Sequence, residues 1–553
     1  TAPQTFATSG TLTEGGERLE LVSLPVTFDP TSGALDVELS PSLAAAMLDG
    51  LDVLEHYPYE CTEQTLSRFL PNLQAYQAVQ EFGLDAPDLK ARLERTLNSG
   101  LERLLSQQNA DGSWGWWAGD TGNAYLTAYV LFGLSQVRQA GISVPDSTLQ
   151  RAVNYLNTML RPMLSQVKES WQLDRIAFEG YALTLAGRPN NSLLQGLYDR
   201  RDELSPWAQA LLALTLAGTP SGSQQADTLL SDLQATALRS ATGVHWETGE
   251  PAWQNMTSDL TNSAMVIYTL AQLEPASTLL PDAVNYLMAH RQADGAWGST
   301  YESAWVMLAM TAVMRGTGEL SGDFAFSASL NGISIASGQA GGATQLNPVS
   351  ANLPLSSLFP DAPNALTIER EADSGRLYYT AALQVYRPVA DIQPLERGIS
   401  VTRQYFPAGA DLRTADPISS VQVGEAVTVR LTLVLPTEAY YLAVEDYIPA
   451  GAEILNTQLK TTQLGEYGEP GPLYDPADPF GSGWGWWMFS AAKVYDDHIA
   501  FTAEYLPAGT YELTYTLVIL QAGEYQVLPA RAWLFYFPEV QGTTAGVLFE
   551  IRP

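Results

Sequence analysis

The chain is short of cysteine, of positive charge and of long apolar runs, and each shortage removes a class of protein. Cys61 is its single cysteine in 553 residues. No internal disulfide is therefore possible, and the thiol is a buried spectator, an intermolecular link or a reactive group. Basic side chains number 28 against 60 acidic ones, for a formal net charge of -32. Phosphate binding needs clustered Lys and Arg, so this balance excludes nucleic acid and anionic membrane as partners. No apolar run is long enough to span a bilayer, so a membrane enters only through an anchor outside this chain. The start lacks a basic segment followed by an apolar one, the mark of an uncleaved export signal. The four histidines, His56, His245, His290 and His498, do not cluster with Cys61 at metal-ligand spacing, and no metal or cofactor is expected. Acidic pairs such as Asp496 and Asp497 read as solvated surface charge.

What is present is apolar and globular. Apolar residues make up 46% and charged residues 16%, which excludes disorder, and the length allows roughly three to four domains. Low charge density, abundant Thr, Ser, Tyr and Trp, and β-rich flanks point to an extracytoplasmic protein: periplasmic, cell-surface or secreted. The first forty residues alternate as strands do, at 19–22 and 35–39. From Pro41 to about Arg315 the pattern becomes helical, rich in Ala and Leu. Inside that stretch the sequence repeats: residues 108–115, with Asp111, Gly112 and Trp114, return as 292–298, with Asp294, Gly295 and Trp297. Each copy precedes a helix with small residues on one face, and related helices occur around Tyr181, Trp207 and Asn262. Helix pairs recurring at this scale cannot bury their apolar faces singly and must stack on neighbours. A closed α/α toroid is predicted, with each Asp-Gly making a turn and the Trp plugging the gap between hairpins. After Gly318 strands return, at 324–330, 364–370 and 377–386. Clean alternation at 427–435 and 509–520 predicts an antiparallel sandwich.

Chemistry concentrates in residues 57–71, Tyr-Pro-Tyr-Glu-Cys-Thr-Glu-Gln-Thr-Leu-Ser-Arg-Phe-Leu-Pro. Pro58 and the polar residues after it mark a helix start. Cys61 and Gln64, three apart on a first helical turn, face one side with Cβ atoms about 5–6 Å apart. A helix N-terminus lowers a thiol pKa and favours the thiolate. Attack on the Gln64 carbonyl with loss of ammonia would leave a cyclic thioester, an acyl donor awaiting a nucleophile. Cys-x-x-Gln by itself equally describes an ordinary helix start.

The wider segment, Cys61-Thr62-Glu63-Gln64 between Tyr57-Pro58-Tyr59 and Thr65-Leu66-Ser67-Arg68-Phe69, resembles the thioester signature of the alpha-macroglobulin and complement superfamily, and most of all that of the bacterial alpha-macroglobulins. The resemblance covers nearly the whole chain. It implies a multidomain α + β protein: an α/α-toroid thioester domain at 41–317 inserted in a CUB-like β-domain formed by 1–40 and 318–395, then a macroglobulin-type antiparallel β-sandwich at 396–553. It further implies a protease inhibitor rather than an enzyme. A protease cuts a bait segment elsewhere, the thioester is exposed, and a protease lysine is acylated once. Neither a bait region nor upstream domains are found, so the chain is expected to be a C-terminal portion. Ester-forming relatives carry a His in the loop after the first Asp-Gly turn; here that loop, 112–119, has none, so direct amine attack and amide products are expected. A thioester must be shielded from water. Tyr57, Tyr59, Glu63, Trp116 and Trp117 are the local candidates for its environment, and Tyr536 resembles the family's shielding aromatic. Glu63 is expected to cap or orient rather than act as a base. Competing readings are a toroid enzyme, either a Cys-dependent acyl transferase or one acting on terpenes or glycans, and a non-covalent adhesion protein in which Cys61 is inert.

Overall fold

The computed structural model describes residues 2–55, 61–81, 87–160, 166–219, 222–240, 242–249, 253–292, 294–317, 322–455, 484–490 and 492–553. The chain forms two compact units. One comprises Thr5–Leu24 and Ala34–Leu383, the other Thr1–Gln4, Pro25–Gly33 and Gln384–Pro553.

The first unit is dominated by twelve helices among its described residues. They are α1 (Leu43–Glu55), α2 (Thr62–Glu81), α3 (Pro87–Ser106), α4 (Ala124–Gln139), α5 (Asp146–Leu160), α6 (Ser170–Leu185), α7 (Asn191–Asp199), α8 (Pro206–Ala217), α9 (Ser223–Ala235), α10 (Asp259–Leu273), α11 (Leu280–Ala289) and α12 (Thr300–Thr317). The even-numbered helices pack in order, α2 on α4, α4 on α6, and so on to α12, which packs back on α2. That closes an inner ring of six. Odd-numbered helices lie outside, each against its even neighbour.

Sequence decides which layer a helix joins. Helix α4 is buried without a break from Tyr125 to Ser135, and α10 from Leu260 to Ala271. A helix apolar or small on every side must be surrounded on every side. Helix α5 instead buries Leu149, Ala152, Val153, Leu156 and Leu160, one stripe at helical spacing. The ring's centre is aromatic: Tyr129, Phe132, Phe178, Tyr301 and Trp305 pack with centroids 5.1–6.4 Å apart.

The predicted Asp-Gly-x-Trp plug is present in both copies. Gly112 and Gly295 hold φ of +93° and +89°, which only glycine adopts without strain. Trp114 Nε1 then donates to Leu104 O and Trp297 Nε1 to Leu287 O, both at 2.8 Å. A third copy escapes the motif. Trp246 Nε1 donates to Leu233 O at 2.7 Å, and Trp246 N donates to Ser263 Oγ, as Trp297 N does to Ser303 Oγ. Here a short hairpin, Leu238–Ser240 with Gly243–His245, replaces the Asp-Gly turn.

Strands before and after the helices close the same sheets. Gly16–Val22 pairs antiparallel with Asn364–Arg370, and Gly33–Ser40 with Val349–Pro354. The helical stretch is thus an excursion from one β-structure. The described residues of the second unit form three sheets, including a four-stranded one built on Ser400–Pro407, Ala426–Leu435 and Gly509–Ile519, and a six-stranded one containing Ala439–Tyr447. Strand Ala426–Leu435 alternates between buried Val427, Val429, Leu431 and Leu433 and less buried neighbours. The side chains of Arg403 and Asp446, both buried, pair at 2.6 Å across these two sheets, and the Tyr515 hydroxyl donates to the other carboxylate oxygen.

Two outcomes follow for the ring. Trp246→Phe removes one of two hydrogen bonds to the Leu233 carbonyl, which Thr236 Oγ1 also reaches at 3.2 Å, and is expected to cost about 0.5–1.5 kcal/mol, and Trp246→Ala roughly 3–5 kcal/mol, read from urea unfolding of the helical signal. Glu179 on α6 is fully buried, with no hydrogen-bond partner for either oxygen among the described residues, and burial raises its pKa from 4.5 to about 7. The folded state then holds that proton more tightly than the unfolded chain, so stability falls as pH climbs between those values. Glu179→Gln should lack this loss: its thermal midpoint relative to the parent should rise over that window and level off above it.

Candidate functional site

The N-termini of the inner helices gather at one end of the ring, and the Cys61 segment lies there. Thr62 opens α2, and Cys61 is the residue before it. The first turn of a helix leaves backbone N–H groups without intrahelical partners. Cys61 and Gln64 satisfy two of them reciprocally. Cys61 N donates to Gln64 Oε1 at 3.1 Å, and Gln64 N donates to Cys61 Sγ at 3.5 Å. This is a capping box with a thiol in place of the usual Ser or Thr hydroxyl. It turns the thiol and the carboxamide toward each other, and both residues are buried, at 6% and 7% exposure.

Glu63 points elsewhere. It is fully buried, accepting from Ser67 Oγ one turn on and from Thr300 Oγ1 at 3.1 Å to each oxygen. Thr300 begins α12, so this carboxylate sits between the starts of two inner helices, where their dipoles favour negative charge. Ser67 Oγ also meets the Tyr129 hydroxyl at 3.1 Å. Burial, and then the Glu63 charge, push the Tyr129 hydroxyl well above the ordinary tyrosine pKa. Further round, the Tyr125 and Tyr301 hydroxyls bond at 2.7 Å, and Tyr125 reaches Asn255 O. Asn255 accepts from Arg175 on α6, Ser258 before α10 bonds Glu302 of α12, and Ser205 before α8 bonds Asp174 of α6.

The loop after the first Asp-Gly turn borders the site through its backbone. Thr62 N donates to Trp116 O at 2.9 Å and Thr62 Oγ1 to Gly115 O at 2.7 Å. Gly115 is required there, since a Cβ would lie 2.6 Å from Asp120 Cβ and 2.9 Å from Thr121 O. The Asp120 carboxylate accepts from Trp117 N and closes the loop. Trp116 is half-buried, whereas Trp117 is exposed.

Of the residues singled out in the sequence, then, Cys61, Gln64, Glu63 and the Trp116 backbone come together. Tyr57, Tyr59 and His56 lie outside the described residues. Tyr536 belongs to the second unit, buried with its ring edge-on to Tyr441 at 5.0 Å. His245 and His290 flank the Tyr286 ring on α11. Tyr129 and Thr300 were not picked out by sequence reasoning, and Thr62 and Ser67 entered only as members of the signature, with no role of their own. Thr300 had a signal too, three residues beyond the repeated Trp297.

A ring of helix pairs set between strands of one β-structure, with a Cys-x-x-Gln box opening its first inner helix, defines the A-macroglobulin TED class of domain. The family model of that domain matches residues 36–180, and the model of the bacterial alpha-2-macroglobulin MG10 domain matches 398–539. Two domains of the alpha-2-macroglobulin family are thus matched in this chain. An alpha-2-macroglobulin homolog of Nostoc sp. is 22% identical over 97% of this chain and 28% of its own length. The alpha-2-macroglobulin of Escherichia coli is 26% identical over 96% of this chain and 30% of its own length. The chain thus spans under a third of these curated relatives. The whole chain superposes on the crystal structure of native E. coli alpha-2-macroglobulin from domain MG7 to the C-terminus, with TM-score 0.73, 18% identity and 82% of that chain covered. It also superposes on Salmonella alpha-2-macroglobulin reacted with methylamine, with TM-score 0.70, 21% identity and 34% of that chain covered. The α/α-toroid and β-sandwich architecture expected from the sequence is the architecture of this fold.

Thr300→Val removes the single hydroxyl that donates to both oxygens of a fully buried carboxylate while keeping side-chain volume. It is expected to destabilise the ring by about 1–3 kcal/mol, seen as a lower urea midpoint of the helical signal.

Proposed function

We propose that Cys61 and Gln64 form an internal thioester and that the chain acylates an attacking protease once, through a lysine amine. The observation that carries this reading is the reciprocal Cys61–Gln64 box at the start of α2, within the segment matched as a TED domain. The Cys61 N–H on Gln64 Oε1 polarises the carboxamide carbonyl and stabilises the oxyanion that forms as sulfur attacks. The helix N-terminus favours the thiolate. The S–C bond forms at Gln64 Cδ, the C–N bond breaks, and ammonia departs with the proton given up by the thiol. Holding both groups in one turn supplies the proximity the reaction needs.

In this reading the loop bearing Trp116 and Trp117 borders the thioester, and Glu63 fixes α2 rather than moving protons. Strands in 1–40 and 318–395 form the CUB-like domain that carries the toroid at 41–317, and 396–553 form the macroglobulin-type domain. The protein acts outside the cytoplasm as a protease inhibitor with single-turnover acyl transfer, without cofactor and without nucleic acid. The reaction of a Salmonella protein of this fold with methylamine supports an amine-reactive centre.

Intact mass under denaturing conditions, with thiol titration, tests the proposal. The untreated chain should be lighter than its sequence by one ammonia and show no thiol, then gain one methylamine and release one thiol. Unmodified mass with a free Cys61 would leave a Cys-dependent enzyme or an inert adhesive toroid as the better reading.

A further inference from the structure

Lysine is among the commonest residues of soluble domains. This chain has four, Lys90, Lys168, Lys460 and Lys493, against 24 arginines. The cations of the inner helices are Arg68, Arg138, Arg175 and Arg315, and no inner helix holds a lysine. Near the N-terminus of inner helix α6, Arg175 is stacked against Trp171 at 5.0 Å and Tyr125 at 5.1 Å and donates to Asn255 and Gln254. Lys90 lies on outer helix α3, its Nζ 5.9 Å from the Tyr76 ring centroid. Hydroxyls show no such depletion: the chain holds 39 serines and 45 threonines.

The two cations differ in one property that matters to an acyl donor. A guanidinium stays protonated and offers no nucleophilic lone pair, whereas a lysine amine deprotonates and attacks. We propose that the chain carries its positive charge as arginine to protect itself from its own acyl donor, so that the Cys61–Gln64 centre acylates only amines of other molecules and spares hydroxyls. The inference rests on the thioester reading above. In the avoided reaction an amine nitrogen attacks Gln64 Cδ, the C–N bond forms and the C–S bond breaks. The amine's proton passes to Cys61 sulfur, giving an amide and a thiol with no further reactant.

Ala118 is exposed, on the loop whose Gly115 and Trp116 carbonyls are held by Thr62. The test compares the parent chain with Ala118→Lys, Trp117→Lys, Ala118→Arg and Ala118→Ser by intact mass, thiol titration, methylamine uptake and peptide mapping. The parent, Ala118→Arg and Ala118→Ser should be lighter by one ammonia, without thiol and methylamine-reactive. Ala118→Lys and Trp117→Lys should also be lighter by one ammonia, since internal amide formation expels the same molecule. They should instead show one thiol, refuse methylamine and yield a cross-link between Gln64 and the new side chain. Two lysine variants that behave as the parent would overturn the inference, as would equal loss of the thioester in Ala118→Arg or Ala118→Ser. A parent chain of unmodified mass would sink the thioester reading itself, and that failure is visible before any variant is made.

Discussion

The seam where α2 meets α12 is the constraint on which the rest of the first unit depends. Six inner helices make a ring only if the last returns to the first, and these two are separated by more than two hundred residues of chain. Apolar packing brings them together without fixing their axial register, because dispersion contacts between small and apolar side chains are non-directional. Glu63 supplies direction. Its carboxylate is fully buried, so it must be bonded to be tolerated, and its partners are Ser67 on its own helix and Thr300 at the start of α12. A slip of either helix by one residue would strand a charge in the core. The seam therefore has one low-energy register, and the turn bearing Cys61 and Gln64 is fixed by it.

The same turn shows how helix capping and covalent chemistry share geometry. A capping box needs an N-cap side chain aimed at the N3 amide and an N3 side chain aimed back at the N-cap amide. Replacing the hydroxyl by a thiol keeps the directions and adds a nucleophile beside a polarised carbonyl. The neighbouring residues divide other tasks. Thr62 ties the loop bearing Trp116 to the helix start by two bonds, so the loop backbone borders the site whatever its tryptophan rings do.

Polar groups elsewhere at this end of the ring form links of the same kind. Tyr125 with Tyr301, Asn255 with Arg175, Ser258 with Glu302 and Ser205 with Asp174 each join residues from different helices or the loops before them. Below them the ring is aromatic and aliphatic. The polar end thus sets register and the apolar body supplies most of the burial. Glu179 stands outside this scheme, buried without a hydrogen-bond partner among the described residues, and its raised pKa is the price of that placement.

The sequence by itself determined whatever is local. Cys61 and Gln64 are three apart, so their meeting needs only one helical turn, and α2 supplies it. The Asp-Gly-x-Trp turns, the alternating strands and the all-round burial of α4 and α10 likewise follow from spacing along a few residues. Tertiary structure decided what joins distant segments. Nothing near residue 63 announces that Glu63 faces Thr300, and nothing near Trp246 marks it as a third plug, because a hairpin does the work of the missing Asp-Gly. Thr62 shows the same limit: its hydroxyl could have bonded within its own helix, and only the folded ring places the Gly115 carbonyl where it accepts from that hydroxyl instead. The physical reason is that hydrogen bonds within a turn are set by backbone geometry shared by all helices, whereas bonds across the ring exist only after six helices have packed and closed.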